Sequence, residues 1–314
     1  MLGRKLAERF ARDGTLGGEP VDRIVLVDVV EPVRPIAAFD LDTVVCDLAE
    51  PGVAEELVSS RPDVVFHLAA VLSGEAEADF EKGYRVNLDG TRLLLDAIRA
   101  IDGYCPRVVF ASTIAVFGAP FPEAIGDDFL AAPLTSYGTQ KAIGELLLSD
   151  YSRRGFLDGV GIRLPTICVR PGAPNRAASG FFSSIIREPL KGQEAVLPVS
   201  DDIRHWHASP RAAIDFLLHA ATIESGKLGD RRCLSMPGVS VTVAEQIEAL
   251  RSVAGDEIVQ LIRREPDETV RRIVAGWPRR FDARRAQALG FRAESSFEEI
   301  IRVYIEDELG GHVS

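Results

Sequence analysis

Five short apolar runs, at 24–29, 43–46, 63–68, 107–111 and 159–167, recur through the first half of the chain and are rich in Val and Ile. They are apolar along most of their length and do not alternate with polar residues, as expected for strands buried on both faces of a parallel sheet. Amphipathic stretches at 52–60, 80–102 and 137–154 lie among them and carry helical spacing. Strands alternating with helices in this order constrain the chain to a doubly wound α/β fold. Its 314 residues suffice for one large domain, or for a domain with a smaller lobe. The second half is less regular, with helices expected near 177–188, 209–224, 242–254 and 296–308 and Pro- and Gly-rich connectors at 170–174 and 236–238. No repeat, low-complexity segment or composition shift marks a linker. A second lobe is therefore expected to interleave with the first, with the main division at 1–168 and 169–314.

Net charge is −11, which disfavours nucleic acid as a partner because phosphate binding needs a basic surface. An anionic ligand would need local Arg or Lys. Cys46, Cys105, Cys168 and Cys233 are far apart and show no metal-like spacing, so they read as reduced cytoplasmic thiols. No apolar run approaches the ~18–20 residues of a membrane span. The first ten residues are basic and amphipathic, but Glu8 and Asp13 weaken a transit-peptide reading and favour the first helix of a domain.

Tyr137 and Lys141 carry the chemistry. At i and i+4 on a helix they share a face, roughly 6 Å apart. A free phenol has a pKa of about 10 and is a poor base at neutral pH. A neighbouring ammonium is expected to lower it, giving a general base for an alcohol whose carbon is losing hydride. Upstream, the strand at 107–111 runs into Ser112 and Thr113.

A dinucleotide is the cofactor these elements suit. Asp28 ends the strand at 24–29, where a carboxylate bonds the adenosine ribose and repels a 2′-phosphate, favouring NAD over NADP. Asp47 and Leu48 close the next strand, where a carboxylate can meet the adenine amino group. Ala69 and Ala70 supply small side chains where backbone must approach pyrophosphate and ribose. His67 reads as a packed histidine. Gly3 sits where the third glycine of a G-x-x-G-x-x-G loop belongs, with the helix from Arg4 to Phe10 following at once. The preceding strand and two glycines are absent, so about ten residues are expected to be missing. That strand is the central one, and without it two strands should each expose an edge. A natural product beginning at Met1 would bind cofactor weakly and be poorly stable.

Together these features resemble the extended short-chain dehydrogenase/reductase superfamily, which includes nucleotide-sugar epimerases and dehydratases. Val116, Phe117 and Gly118 after Ser112 and Thr113 look like its S-x-x-V-[YF]-G segment. By that register Thr113 takes the catalytic Ser/Thr position, with Ser112 as the fallback. Asn87 matches the superfamily's helix asparagine, and Pro165 through Ile167 match the stretch that contacts nicotinamide. The segments 73–79, 137–141, 165–171, 178–182 and 204–210 look like the NAD-dependent D-erythronate dehydrogenase branch. The resemblance implies a Rossmann-type NAD domain with a substrate lobe. It also implies oxidation of the C2 hydroxyl of a short sugar acid to the 2-oxo acid. In that mechanism Tyr137 takes the proton, Lys141 holds the nicotinamide ribose, and Thr113, helped by Ser112, bonds the substrate oxygen.

A sugar-acid carboxylate needs a cation, and Arg176 and Arg204 are the candidates, since a guanidinium grips a carboxylate with two parallel bonds. Either could instead be a structural ion pair. Ser73 and Asn175 are candidate partners for the hydroxyls. His205 and His207 would share a face of a strand, but no third ligand is apparent and no metal is expected. An epimerase or dehydratase, an L-threonine dehydrogenase and a non-catalytic NAD sensor remain as rivals. The helices at 80–102 and 137–154 carry apolar stripes, with Leu93, Leu94, Ile98, Leu146 and Leu147. These would either pack on the sheet or pair two copies into a homodimer, and a homodimer is expected.

Overall fold

A computed structural model describes residues 1–172 and 178–312. Helix α1 (Leu2–Asp13) buries Leu6, Ala7 and Phe10 and ends where Gly14 turns left-handed at φ 64°. A hairpin of β1 (Thr15–Leu16) and β2 (Glu19–Pro20), unforeseen in the apolar pattern, leads to β3 (Arg23–Asp28) and β4 (Asp40–Val45). The last two pair in parallel, from Arg23↔Asp40 to Asp28↔Val45. Next come α2 (Val53–Val58), β5 (Val64–His67), α3 (Ser73–Ala78) and α4 (Phe80–Gly83). The stretch expected as one helix over 80–102 is interrupted. A π-helical turn at Tyr84–Asp89 separates α4 from α5 (Gly90–Arg99).

β6 (Arg107–Thr113), α6 (Ser136–Arg153) and β7 (Asp158–Leu164) follow. The run expected as one strand over 159–167 is divided at Pro165, which has no N–H to give a ladder, and resumes as β8 (Thr166–Ile167). The remainder runs α7 (Gly180–Arg187), β9 (Ala195–Leu197), β10 (Arg204–Ala208), α8 (Pro210–Thr222), α9 (Ser225–Leu228), β11 (Cys233–Ser235) and β12 (Val239–Thr242). It closes with α10 (Val243–Ala254), α11 (Asp256–Val259), β13 (Ile262–Arg264), α12 (Glu268–Ala275), α13 (Arg284–Ala288) and α14 (Phe297–Glu308).

Two compact units share the chain. The first takes Met1–Val116, Pro133–Arg163 and Ile214–Leu234, the second Phe117–Ala132, Leu164–Ala213 and Ser235–Ser314. In the first, a sheet of order β11-β7-β6-β5 is overlaid by Ala54, Leu94, Leu95, Ile98 and Leu148 from α2, α5 and α6. β5 and β6 are parallel, with His67 opposite Phe110. Among the described residues β3 is bonded only to β4 and β5 only to β6, leaving each with an edge outside any ladder. Val25 and Val27 on β3 are accordingly 38% exposed each. This is the Rossmann-type α/β arrangement that the apolar runs call for.

The second unit holds a sheet of order β12-β10-β8 and a parallel pair of β9 with β13. Its core gathers Phe182, Ile186, Leu197, Leu250, Phe297 and Ile301. The histidines of β10 lie inside it. The rings of His205 and Phe182 stack 5.1 Å apart, and His205 and His207 lie edge to face at 5.3 Å. Nε2 of His205 meets the Thr166 hydroxyl at 2.7 Å, and its Nδ1 donates to the Pro278 carbonyl at 2.8 Å. No helix among the described residues is long and apolar enough to cross a membrane.

Candidate active site

Helix α6 begins at a built N-terminus. The Thr135 hydroxyl accepts the Gly138 N–H at 3.0 Å, satisfying one of the donors a first turn leaves open. Glu77 of α3 accepts the Ser136 N–H at 2.5 Å. Two glycines let the helix lie close on the strand beneath it. A Cβ at Gly138 would stand 2.2 Å from the Ala115 carbonyl oxygen, and one at Gly144 would stand 2.7 Å from the Phe110 ring. The first turn of α6, with Tyr137, is thus held against the chain just beyond Thr113.

One turn on, Lys141 is 1% exposed and its Nζ sits 4.7 Å from the centre of the Phe110 ring. Burial lowers its pKa to about 8, and the Glu145 charge opposes that fall. The half-buried Tyr137 phenol does not behave as its neighbour alone suggests: burial raises it to about 12. The lowering expected from Lys141 is not seen: burial, which penalises the phenolate, is the cause that acts on this phenol.

Ser112 and Thr113 are sorted by the pleat, since successive side chains of a strand face opposite ways. Ser112 is 3% exposed and donates its hydroxyl to Glu145 in the interior. Arg163 of β7 grips the same carboxylate, with Nε at 2.9 and 3.1 Å and Nη2 at 2.8 Å. Thr113 is half-buried, and its hydroxyl accepts the Ala115 N–H at 3.1 Å.

Asn87 lies in the π turn, 1% exposed, and binds two places at once. Its side chain takes the Val71 N–H at 2.9 Å and gives to the Val71 carbonyl at 3.1 Å and to Gln140 at 2.7 Å. The loop after β5 is thereby tied to α6 beside Lys141. In that loop Ala69 is exposed and Ala70 half-buried. His67 is packed, with Nε2 at 2.8 Å from the Thr91 hydroxyl.

Asp28 ends β3 exposed, with Oδ1 accepting the Val29 N–H at 2.7 Å. Asp47 is already engaged, by the Ala49 N–H at 2.9 Å and by Arg85 at 2.7 Å, and Leu48 packs on the core. Gly3 lies within α1, where a Cβ would meet only Leu68, at 3.9 Å. These residues fit a dinucleotide. Asp28, Ala69, Ala70 and Thr113 stand at or just beyond the C-terminal ends of β3, β5 and β6, where open α/β sheets take their ligands.

In the second unit Pro165 is buried just before β8 and Ile167 is buried within it. Arg204 opens β10 and has structural partners, the Ser240 carbonyl at 2.8 Å and Glu245 at 3.1 Å. Ser73 opens α3 exposed, and Asn175 and Arg176 lie outside the described residues. Among the described residues no group of three or more His, Cys, Asp or Glu could hold a metal ion. Gln140, Glu145 and Arg163 join this buried hydrogen-bonded set, not anticipated in the sequence analysis. A charged residue inside the apolar run at 159–167 was the available signal.

Residues 1–221 match the model of the NAD dependent epimerase/dehydratase family. A D-erythronate dehydrogenase of Cupriavidus necator is 49% identical over 98% of this chain and 95% of its own. A second, of Haemophilus influenzae, is 41% identical over 98% and 96%. The crystal structure of a nucleoside-diphosphate-sugar epimerase from Agrobacterium tumefaciens is 65% identical, with a TM-score of 0.98 over 100% of this chain and 93% of that one. An L-threonine dehydrogenase from Cupriavidus necator shares the fold at a TM-score of 0.83 and 23% identity. With the matched model spanning most of the chain and the Tyr137–Lys141 helix seated at the end of β6, the chain belongs to the NAD dependent epimerase/dehydratase family.

Proposed function

We propose that the protein oxidises the C2 hydroxyl of D-erythronate, or of a similar short sugar acid, to the 2-oxo acid with NAD. The observation that carries this is α6 itself, which sets Tyr137 and Lys141 one turn apart against the end of the strand bearing Thr113. Two D-erythronate dehydrogenases at 49% and 41% identity supply the substrate. When bound, NAD supplies the hydride acceptor, and its oxidised ring carries positive charge. Tyr137 takes the hydroxyl proton at its phenolic oxygen. Its place in the first turn of α6 favours the phenolate, because a helix N-terminus stabilises negative charge by about 0.3–1 kcal/mol. Lys141 adds a fixed positive charge beneath it. The Thr113 hydroxyl, free to donate while accepting from Ala115, holds the substrate oxygen. Asp28 selects NAD by repelling a 2′-phosphate. Arg176 and Arg204 stay the candidates for the carboxylate, with Ser73 and Asn175 for the hydroxyls. In Arg204's case Glu245 would have to be exchanged for substrate.

The name of the structure at 65% identity favours a second reading, nucleotide-sugar epimerisation, which keeps NAD bound and leaves no net reduction. NADH formation measured with D-erythronate, L-threonine and a UDP-sugar separates the two. Steady NADH release with the four-carbon acid supports the dehydrogenase, and isomerised UDP-sugar without NADH overturns it. Tyr137→Phe should cost about 10²–10⁴-fold in kcat. The setting that suits this chemistry is a cytoplasmic homodimer. Four free cysteines support the compartment, and Leu146, 71% exposed on α6, with Phe80, 54% exposed, supports pairing of two copies. Leu94 and Ile98 are instead buried on the sheet.

A further inference from the structure

Lys141 is an ammonium with 1% of its surface exposed, lying over an aromatic ring, and such a charge needs a counter-charge to persist. Glu145 stands one helical turn further along α6, also buried at 5%. Its own carboxylate is fixed from two sides, by the Ser112 hydroxyl of β6 and by three contacts from Arg163 of β7. We propose that Glu145, clamped by Arg163, is a positioning residue that keeps Lys141 charged in its apolar seat and turns the Ser112 hydroxyl inward, leaving Thr113 as the hydroxyl that meets the substrate. The proposal rests on the dehydrogenase reading for its catalytic consequence but not for its electrostatics.

The charged and titratable groups around Lys141 come from each element packed on it. Tyr137 and Glu145 lie on α6 itself, His67 on β5, and Arg163 on β7 behind Glu145. β6 contributes the Phe110 ring and the Ser112 hydroxyl. His67 is neutral through the neutral range, since burial first and the Lys141 charge second hold its pKa near 3. Glu145 is the anion in this set. Arg163 serves it by geometry: paired bonds fix where the carboxylate points. A purely structural ion pair would predict no link to the lysine's titration.

The experiment reads Lys141 directly. The chain has five lysines, so the ε-carbon signals of protein grown on ¹³C-lysine can be resolved and Lys141 assigned by its loss in Lys141→Arg. Unaltered protein without substrate should show Lys141 titrating near pH 8. In Glu145→Gln the midpoint should fall by about one pH unit, because an opposite charge nearby favours the charged form. Glu145→Asp, which keeps the charge, should return most of the difference. If Glu145→Gln does not fold, Glu145→Gln with Arg163→Met removes both buried charges and should give a smaller fall in the same direction, because losing the more distant Arg163 cation offsets part of the loss of the anion. A Lys141 midpoint unchanged in the neutral variant that folds overturns the proposal. Failure of the dehydrogenase reading shows separately, as absent NADH formation in the unaltered protein.

Discussion

Three buried histidines should make this protein acid-labile well above the range where carboxylates titrate. Burial, reinforced by Lys141, holds His67 near pKa 3. Burial, opposed by the Pro278 carbonyl, holds His205 near 4, and burial with the neighbouring His205 holds His207 far below its ordinary value. Each folded pKa is depressed, so below pH 6.5 the unfolded chain binds protons that the folded chain refuses. Stability is therefore complete above about pH 6.5 and falls as pH drops toward the folded values, by about 1.4 kcal/mol per pH unit for each group. Between pH 6.5 and 5.5 the three together should cost about 3 kcal/mol, since the unfolded imidazoles are only half protonated at pH 6.5, and this is a large share of the roughly 5–15 kcal/mol that holds a domain folded. Urea midpoints measured at pH 7.5, 6.5 and 5.5 test this. Both tryptophans, Trp206 and Trp277, belong to the second unit, and Trp277 lies 5.4 Å from the His205 ring. Fluorescence thus follows His205 and His207, while circular dichroism follows both units. His207→Gln should remove about half of the fluorescence-detected slope. A midpoint that does not move between pH 7.5 and 5.5 would refute the reasoning.

Gly138→Ala should lower stability by about 1–3 kcal/mol and depress kcat, because the added methyl must push α6 off the Ala115 carbonyl; thermal unfolding and kinetics read the two effects. Thr113→Val should abolish most activity with the fold intact, whereas Ser112→Ala should keep most of it and lose stability where Glu145 loses a donor. Equal losses from the two would reverse their assignment. Asp28→Ser should let NADP replace NAD, seen as a fall in the ratio of their KM values. Lys141→Arg should remove any activity limb near pH 8, since guanidinium stays charged there, and a limb that persists would have to come from another group.

Much of the fold was legible because strands buried on both faces write themselves as unbroken apolar runs. β3, β5, β6 and β7 lie where those runs do. Long amphipathic helices such as α6, α10 and α14 fell within a residue or two of their observed ends. What stayed hidden was tertiary. The π turn depends on Asn87 finding Val71 sixteen residues away, which no local period encodes. β9 and β13 are three residues each and pair across a long separation. Tyr137 and Lys141 were visible by their spacing, but the burial that raises the phenol was not. The helical spacing of Glu145 says nothing of which face is buried, and only β6 and β7 reveal it as an interior residue.

The turn at Tyr84–Asp89 winds wider than its neighbours, so it accommodates one residue more than ordinary winding would. Deleting a residue there would let the turn close to ordinary winding, with Leu94, Leu95 and Ile98 still facing the sheet they cover. The displacement that brings Asn87 to Val71 would be lost instead. Descendants of this protein can therefore shed a residue here and keep the helix that follows, but they would give up the tie between the loop after β5 and α6.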